Sequence, residues 1–129
     1  MRDIEYRAFV KETKKMLPVT DLCFNETESV GVSGCGDANC TLCVDWYNFD
    51  DVLLMQYTER EDINNNKIFE NDIATCQFFD KKITGLIEFI EFMWAVNDRK
   101  NQRLYQFNEV SNIEIIGNIH ENSEILEEQ

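Results

Sequence analysis

Leu54-Met55-Gln56-Tyr57-Thr58 and, past a polar connection, Ile68-Phe69-Glu70-Asn71-Asp72-Ile73 are the stretches whose reading decides the fold. The first closes a continuous apolar run, Val52 to Thr58, bounded by the acids Asp50-Asp51 and the charged stretch Glu59-Arg60-Glu61-Asp62. A short apolar run between polar breaks reads as a strand. Residues 58–67 then read as a hairpin loop or a connection between subdomains. From Ile68 onward the segments Ile73 to Phe79, Gly85 to Phe89, Phe92 to Val96 and Ile113 to Ile119 are β-branched and aromatic. Asp80-Lys81-Lys82 and Asn97 to Arg103 break them. Such a succession suggests a small β-barrel. Leu86 to Val96 is read as strands, with a helix as the alternative that periodicity alone leaves open.

Working outward, Ile4-Glu5-Tyr6-Arg7-Ala8-Phe9 alternates, Lys11 to Lys15 is polar, and Met16-Leu17 resumes the pattern, which predicts an opening hairpin that Pro18 closes. Leu22 to Phe24 and Val30-Gly31-Val32 are strand-like. Between Ser33 and Cys43 lies a cysteine-bearing loop with Gly34 and Gly36 as breakers. At the other end, Asn122 or Ser123 can cap a short helix over Glu124 to Glu128, docked by Ile125 and Leu126.

Four blocks in order, Met1-Arg2-Asp3-Ile4-Glu5-Tyr6-Arg7-Ala8-Phe9, the two central stretches, and Ile116-Gly117-Asn118-Ile119-His120-Glu121-Asn122, resemble the YopX family of small phage and prophage proteins of Gram-positive bacteria. The resemblance covers nearly the whole chain. It implies a C-terminal half built as an SH3-like β-barrel and a family without an assigned biochemical role. The expected organisation is an N-terminal β-rich subdomain with the cysteine loop (1–57), a connecting loop (58–67) and an SH3-like barrel subdomain with a short C-terminal helix (68–129). The fold class is mainly β. Where the family usually has glycine this chain has Glu59, Asn65 and Asn71. Asparagine tolerates positive φ, whereas glutamate there costs about 1 kcal/mol, so the turn at Glu59 is expected to be rebuilt.

The chain has 129 residues and a formal net charge of -13, and its C-terminal end beyond Arg103 holds no Lys or Arg. That charge repels phosphate backbones and works against nonspecific nucleic-acid binding. The N-terminus lacks an apolar signal region, and no apolar run approaches the roughly 20 residues that span a bilayer. The expected location is therefore the bacterial cytoplasm, where five cysteines are reduced thiols rather than a disulfide framework.

Cys35-x4-Cys40-x2-Cys43 has ligand-like spacing for one tetrahedral Zn²⁺. A structural site needs a fourth ligand, which Cys23, Cys76 or His120 would have to bring from elsewhere. The expectation is accordingly no cofactor, with zinc as the one ion the spacing would serve. His120, the sole histidine, reads as a surface or capping residue rather than a general base. The acid pairs Asp50-Asp51, Glu61-Asp62 and Glu127-Glu128 are what an acidic chain supplies by chance. No EF-hand, phosphate loop or His-Glu-x-x-His is present. The rings Trp46, Tyr47, Phe49 and Tyr57 are candidates for partner binding if exposed and are core residues otherwise.

These readings point to a non-enzymatic binding module acting on an unidentified host or phage protein. Two alternatives are an acidic nucleic-acid mimic that inhibits a DNA-binding host protein and a β-barrel that binds nucleic acid through stacked aromatics. Direct nucleic-acid binding is disfavoured, no membrane partner is expected, and self-association is left open.

Overall fold

The computed structural model describes residues 4–24, 28–40 and 42–127, and over them the chain is mainly β. The strands are β1 (Tyr6–Val10), β2 (Lys15–Cys23), β3 (Ser29–Ser33), β4 (Val44–Asn48), β5 (Val52–Glu61), β6 (Lys67–Phe69), β7 (Asp72–Phe78), β8 (Lys81–Ile90), β9 (Met93–Asp98), β10 (Arg103–Gln106) and β11 (Ser111–Asn118). A 3-10 turn, Phe49–Asp51, precedes β5, and one helical turn, α1 (Glu124–Glu127), follows β11. Residue 128 and the side chain of Leu126 lie outside the described residues. None of the described helices is long and apolar enough to cross a membrane.

Contacts divide the chain into two units, one ending at Gln56 and the other beginning at Tyr57. In the first, the strand order is β4-β3-β2-β1-β5, all antiparallel. Alternation does what it predicts in β1, where Ala8 and Val10 face inward and are fully buried. They join Leu17, Val30, Val32 and Val52 in one apolar cluster. Pro18 does not end the hairpin. It lies inside β2 opposite Arg7, and pairing of β2 with β3 begins only at Val19, so the missing N–H falls where the ladder passes from one neighbour to the other.

In the second unit the strand order is β10-β9-β8-β7-β11, again antiparallel, and the far half of β5 pairs with β6. Its core gathers Ile68, Ala74, Cys76, Ile83, Ile87, Val96, Tyr105, Phe107 and Ile113. Burying a side chain such as Ile87 contributes about 2 kcal/mol. Leu86 to Val96 is the end of β8, a two-residue turn and the start of β9, not a helix. The expected closed barrel does not form: among the described residues no ladder joins β10 to β11. With only four residues, β10 offers little to pair, and two register shifts bend β11 along β7. Residues 58–67 are strand to Glu61 and turn only from Asp62 to Asn66.

The rebuilt turn expected at Glu59 is also corrected. Glu59, Asn65 and Asn71 have φ of 71°, 65° and 70°, so all three keep the left-handed conformation that suits glycine. Glu59 lies in the register shift between Tyr57 and Glu61, which is a bulge that the positive φ closes.

Candidate functional site

The cysteine loop joins adjacent strands, since Ser33 of β3 pairs with Val44 of β4. Three backbone bonds fold it back: Gly34 N–H to Cys43 O at 2.7 Å, Gly36 N–H to Ser33 O at 3.0 Å and Cys40 N–H to Asp37 O at 3.0 Å. The buried Ser33 hydroxyl donates to Asp37 O at 2.7 Å, and an Asp37 carboxylate oxygen accepts the Asn39 N–H at 2.9 Å. Gly36, at φ 86°, supplies the left-handed step. The result brings the sulfurs of Cys35, Cys40 and Cys43 within 4.8 Å of one another, all as free thiols. The Ser33 hydroxyl, the Asp37 backbone N–H and Cys40 together lower the Cys35 thiol to about 7. Hydrogen bonding to Cys40 and Cys35, and the charge on Cys35, push Cys43 up to about 11. Of the further thiols, Cys23 is half-buried in β2. Cys76 is buried in the second unit's core, where desolvation and then the charge of Asp98 push it up to about 11. Neither joins the cluster, and nor does His120.

The aromatic candidates separate. Trp46, on the edge strand β4, is 53% exposed. Tyr47 and Phe49 pack against the first unit's core. Tyr57 is buried, 5.5 Å from the ring of its cross-strand neighbour Phe69 and with the Lys67 ammonium 5.5 Å from its own ring centre.

A more exposed aromatic group lies at the β8–β9 hairpin. Its turn residues Glu91 and Phe92 have φ of 51° and 66°, a tight turn usually made by Asn-Gly. Phe92 is 95% exposed there. Behind it Phe89 and Trp94 face each other across the strands, with ring centres 5.0 Å apart and Phe89 half-exposed. Sequence reasoning read these rings only as strand formers. The available signal was an aromatic placed in a two-residue turn, where neither packing nor turn geometry asks for one.

The central stretches serve backbone geometry. The Thr58 hydroxyl donates to Ile68 O at 2.8 Å, and the Phe69 N–H donates to the buried Asp72 carboxylate at 2.8 Å. Asn71 donates its N–H to Ile87 O and accepts that of Ile119. His120 sits in the turn after β11: its backbone N–H donates to the Asn118 side chain at 3.0 Å, and its ring lies 3.5 Å from the Asn71 amide. Of the acid pairs, Asp50 and Asp51 are exposed and use their carbonyls to hold Lys11, while Asp62 is buried and accepts backbone N–H groups. Glu128 of the third pair lies outside the described residues.

Two solved structures share the fold. The protein EF1440 from Enterococcus faecalis aligns with a TM-score of 0.61 at 21% identity, covering 98% of this chain and 99% of that one. YopX from Bacillus subtilis aligns with a TM-score of 0.61 at 14% identity, covering 96% and 98%. No curated protein matches the sequence. The YopX protein family matches residues 5–127, which is almost the entire chain, and the chain belongs to that family.

Proposed function

We infer that the protein is a phage- or prophage-derived, non-catalytic binding module that engages a host or phage protein in the bacterial cytoplasm. The observation that carries this reading is Phe92, held 95% exposed in a left-handed turn beside the half-exposed Phe89. An exposed ring in that conformation gains nothing from burial and costs backbone strain. Rigid aromatics on a hairpin are what protein recognition uses as anchors. A shallow depression of mixed polar and apolar lining, with Glu59, Arg60, Gln106 and Asn108 beside Met93, Trp94 and Phe107, lies in the same unit. The strand order also supports reading the five-stranded sheet of the second unit as an opened SH3-like barrel, because β11 returns to pair with β7, the first of its strands in sequence.

The test is affinity capture from phage-infected or induced lysogenic cells with the natural chain and with a Phe89→Ser, Phe92→Ser variant. A partner held by the natural chain at high salt and lost by the variant supports the reading. A partner that the variant retains and salt releases supports the acidic mimic instead, since salt screens carboxylates but not apolar contacts.

A further inference from the structure

We propose that Cys35, Cys40 and Cys43 form a three-thiolate site for a single Zn²⁺ ion at the end of the β3–β4 hairpin. Zinc bound by thiolates has Zn–S bonds near 2.3 Å, which places sulfurs of one tetrahedron about 3.8 Å apart. The three sulfurs already lie within 4.8 Å of one another, so sub-ångström to ångström shifts of exposed side chains complete the triangle.

The loop's construction supports the same conclusion. Among the described residues of the loop, Cys35 to Asn39, Leu42 and Cys43 are exposed and Cys40 is half-buried. Apolar burial therefore does not hold this segment. Its turns converge on the sulfurs, and the Ser33 hydroxyl lies 3.5 Å from the Cys35 sulfur, a contact that orients that ligand.

One ion fits better than a cluster. The same spacing occurs in plant-type [2Fe–2S] proteins, but these need a fourth cysteine and spread the thiolates over two irons. Among the described residues no fourth Cys, His, Asp or Glu joins the group. Zinc accepts three protein ligands with water or an incoming group as the fourth, which is the open form of the site. Cys23, in the same unit but outside the cluster, provides the internal control.

The full chain, purified reduced from zinc-supplemented cells, is expected to carry about one equivalent of zinc. Replacing zinc with Co²⁺ should give the thiolate-to-cobalt charge-transfer band and the intense visible bands of a tetrahedral site. Cys40→Ser and Cys43→Ser should each weaken cobalt binding by more than the roughly 10–100-fold that loss of an outer-shell partner costs. Cys23→Ser should bind as the natural chain does. The proposal is overturned if the reduced natural chain shows no such band at stoichiometric Co²⁺, if the band survives Cys40→Ser, if the protein carries iron and sulfide, or if alkylation at lysis traps a disulfide among the three cysteines. Because the titration of the natural chain decides by itself, a variant that fails to fold does not protect the idea.

Discussion

The Asp62 carboxylate accepts the backbone N–H of Ile115 at 3.0 Å across 53 positions of sequence, and its other oxygen accepts those of Asn64 and Asn66 at 2.9 and 2.8 Å. One buried side chain thus both closes the β5–β6 turn and ties it to β11. Burial raises the Asp62 pKa, but the N–H groups of Ile115, Asn66 and Asn64 outweigh it, and the carboxyl is held below its usual value. Replacing it with alanine leaves three N–H groups without their acceptor and should destabilise the second unit by about 2 kcal/mol. A carboxyl lowered in the folded state stabilises above its unfolded pKa, and that contribution is lost as pH falls through the folded value. Urea midpoints measured from neutral pH down past about pH 4 should fall more steeply for the natural chain than for Asp62→Asn. Parallel slopes would show that the carboxylate is not stabilising.

Glu59 carries the strain that Asn65 and Asn71 avoid. Relief of the left-handed penalty, about 1–2 kcal/mol, is partly offset by the extra freedom of glycine in the unfolded chain, about 0.5–1 kcal/mol. Glu59→Gly should therefore raise stability by up to about 1 kcal/mol, and Asn71→Gly by less. Denaturant unfolding of the two variants side by side tests the order, and a destabilised Glu59→Gly would mean that the glutamate side chain contributes more than the strain costs.

Gly85 is constrained by space. A Cβ built there stands 2.7 Å from a Val96 methyl and 2.8 Å from the Asn97 carbonyl oxygen on the facing strand. The carbonyl cannot move without opening the β8–β9 ladder. Gly85→Ala should cost about 1–3 kcal/mol, against the usual gain from replacing a strand glycine. A variant melting at or above the natural temperature would show that the ladder yields.

Much of this fold was legible where one face of a strand is buried. The alternation in β1 and the apolar run of β5 gave their strands directly, and the positive φ at Asn65 and Asn71 was readable because the family resemblance puts glycine there and asparagine tolerates that conformation. Pro18 misled because proline punctuation is local, while its tolerance inside β2 depends on where the neighbouring ladder begins. The short strand β10 was hidden because Tyr105 is its only buried residue. Closure of the sheet is a property of edge pairing that no single segment records. For the candidate site, the cysteine spacing was visible, but the approach of the sulfurs depends on Ser33, Gly36 and Asp37 turning the loop. The exposed rings at Phe89 and Phe92 were invisible for a simpler reason: apolar residues in a strand pattern read as core until burial is known.

The last expectation concerns nucleic acid. The meander brings the β7–β8 and β9–β10 turns to the same end of the second unit's sheet, so exposed Lys81, Lys82, Arg99, Lys100 and Arg103 share one edge. Arg99 is 3.6 Å from the Glu88 carboxylate, and Asp80 directly precedes the two lysines, which lowers the local potential. Nonspecific binding requires enough cations to neutralise several phosphates and release their counterions, and a chain at -13 repels the duplex before contact. No retardation of random duplex DNA is expected at about 150 mM salt, and weak retardation only at much lower ionic strength. If the protein instead shifts DNA or RNA at about 150 mM salt and Lys81→Glu with Lys82→Glu abolishes the shift, the basic edge is a nucleic-acid surface and the protein-binding reading gives way to it.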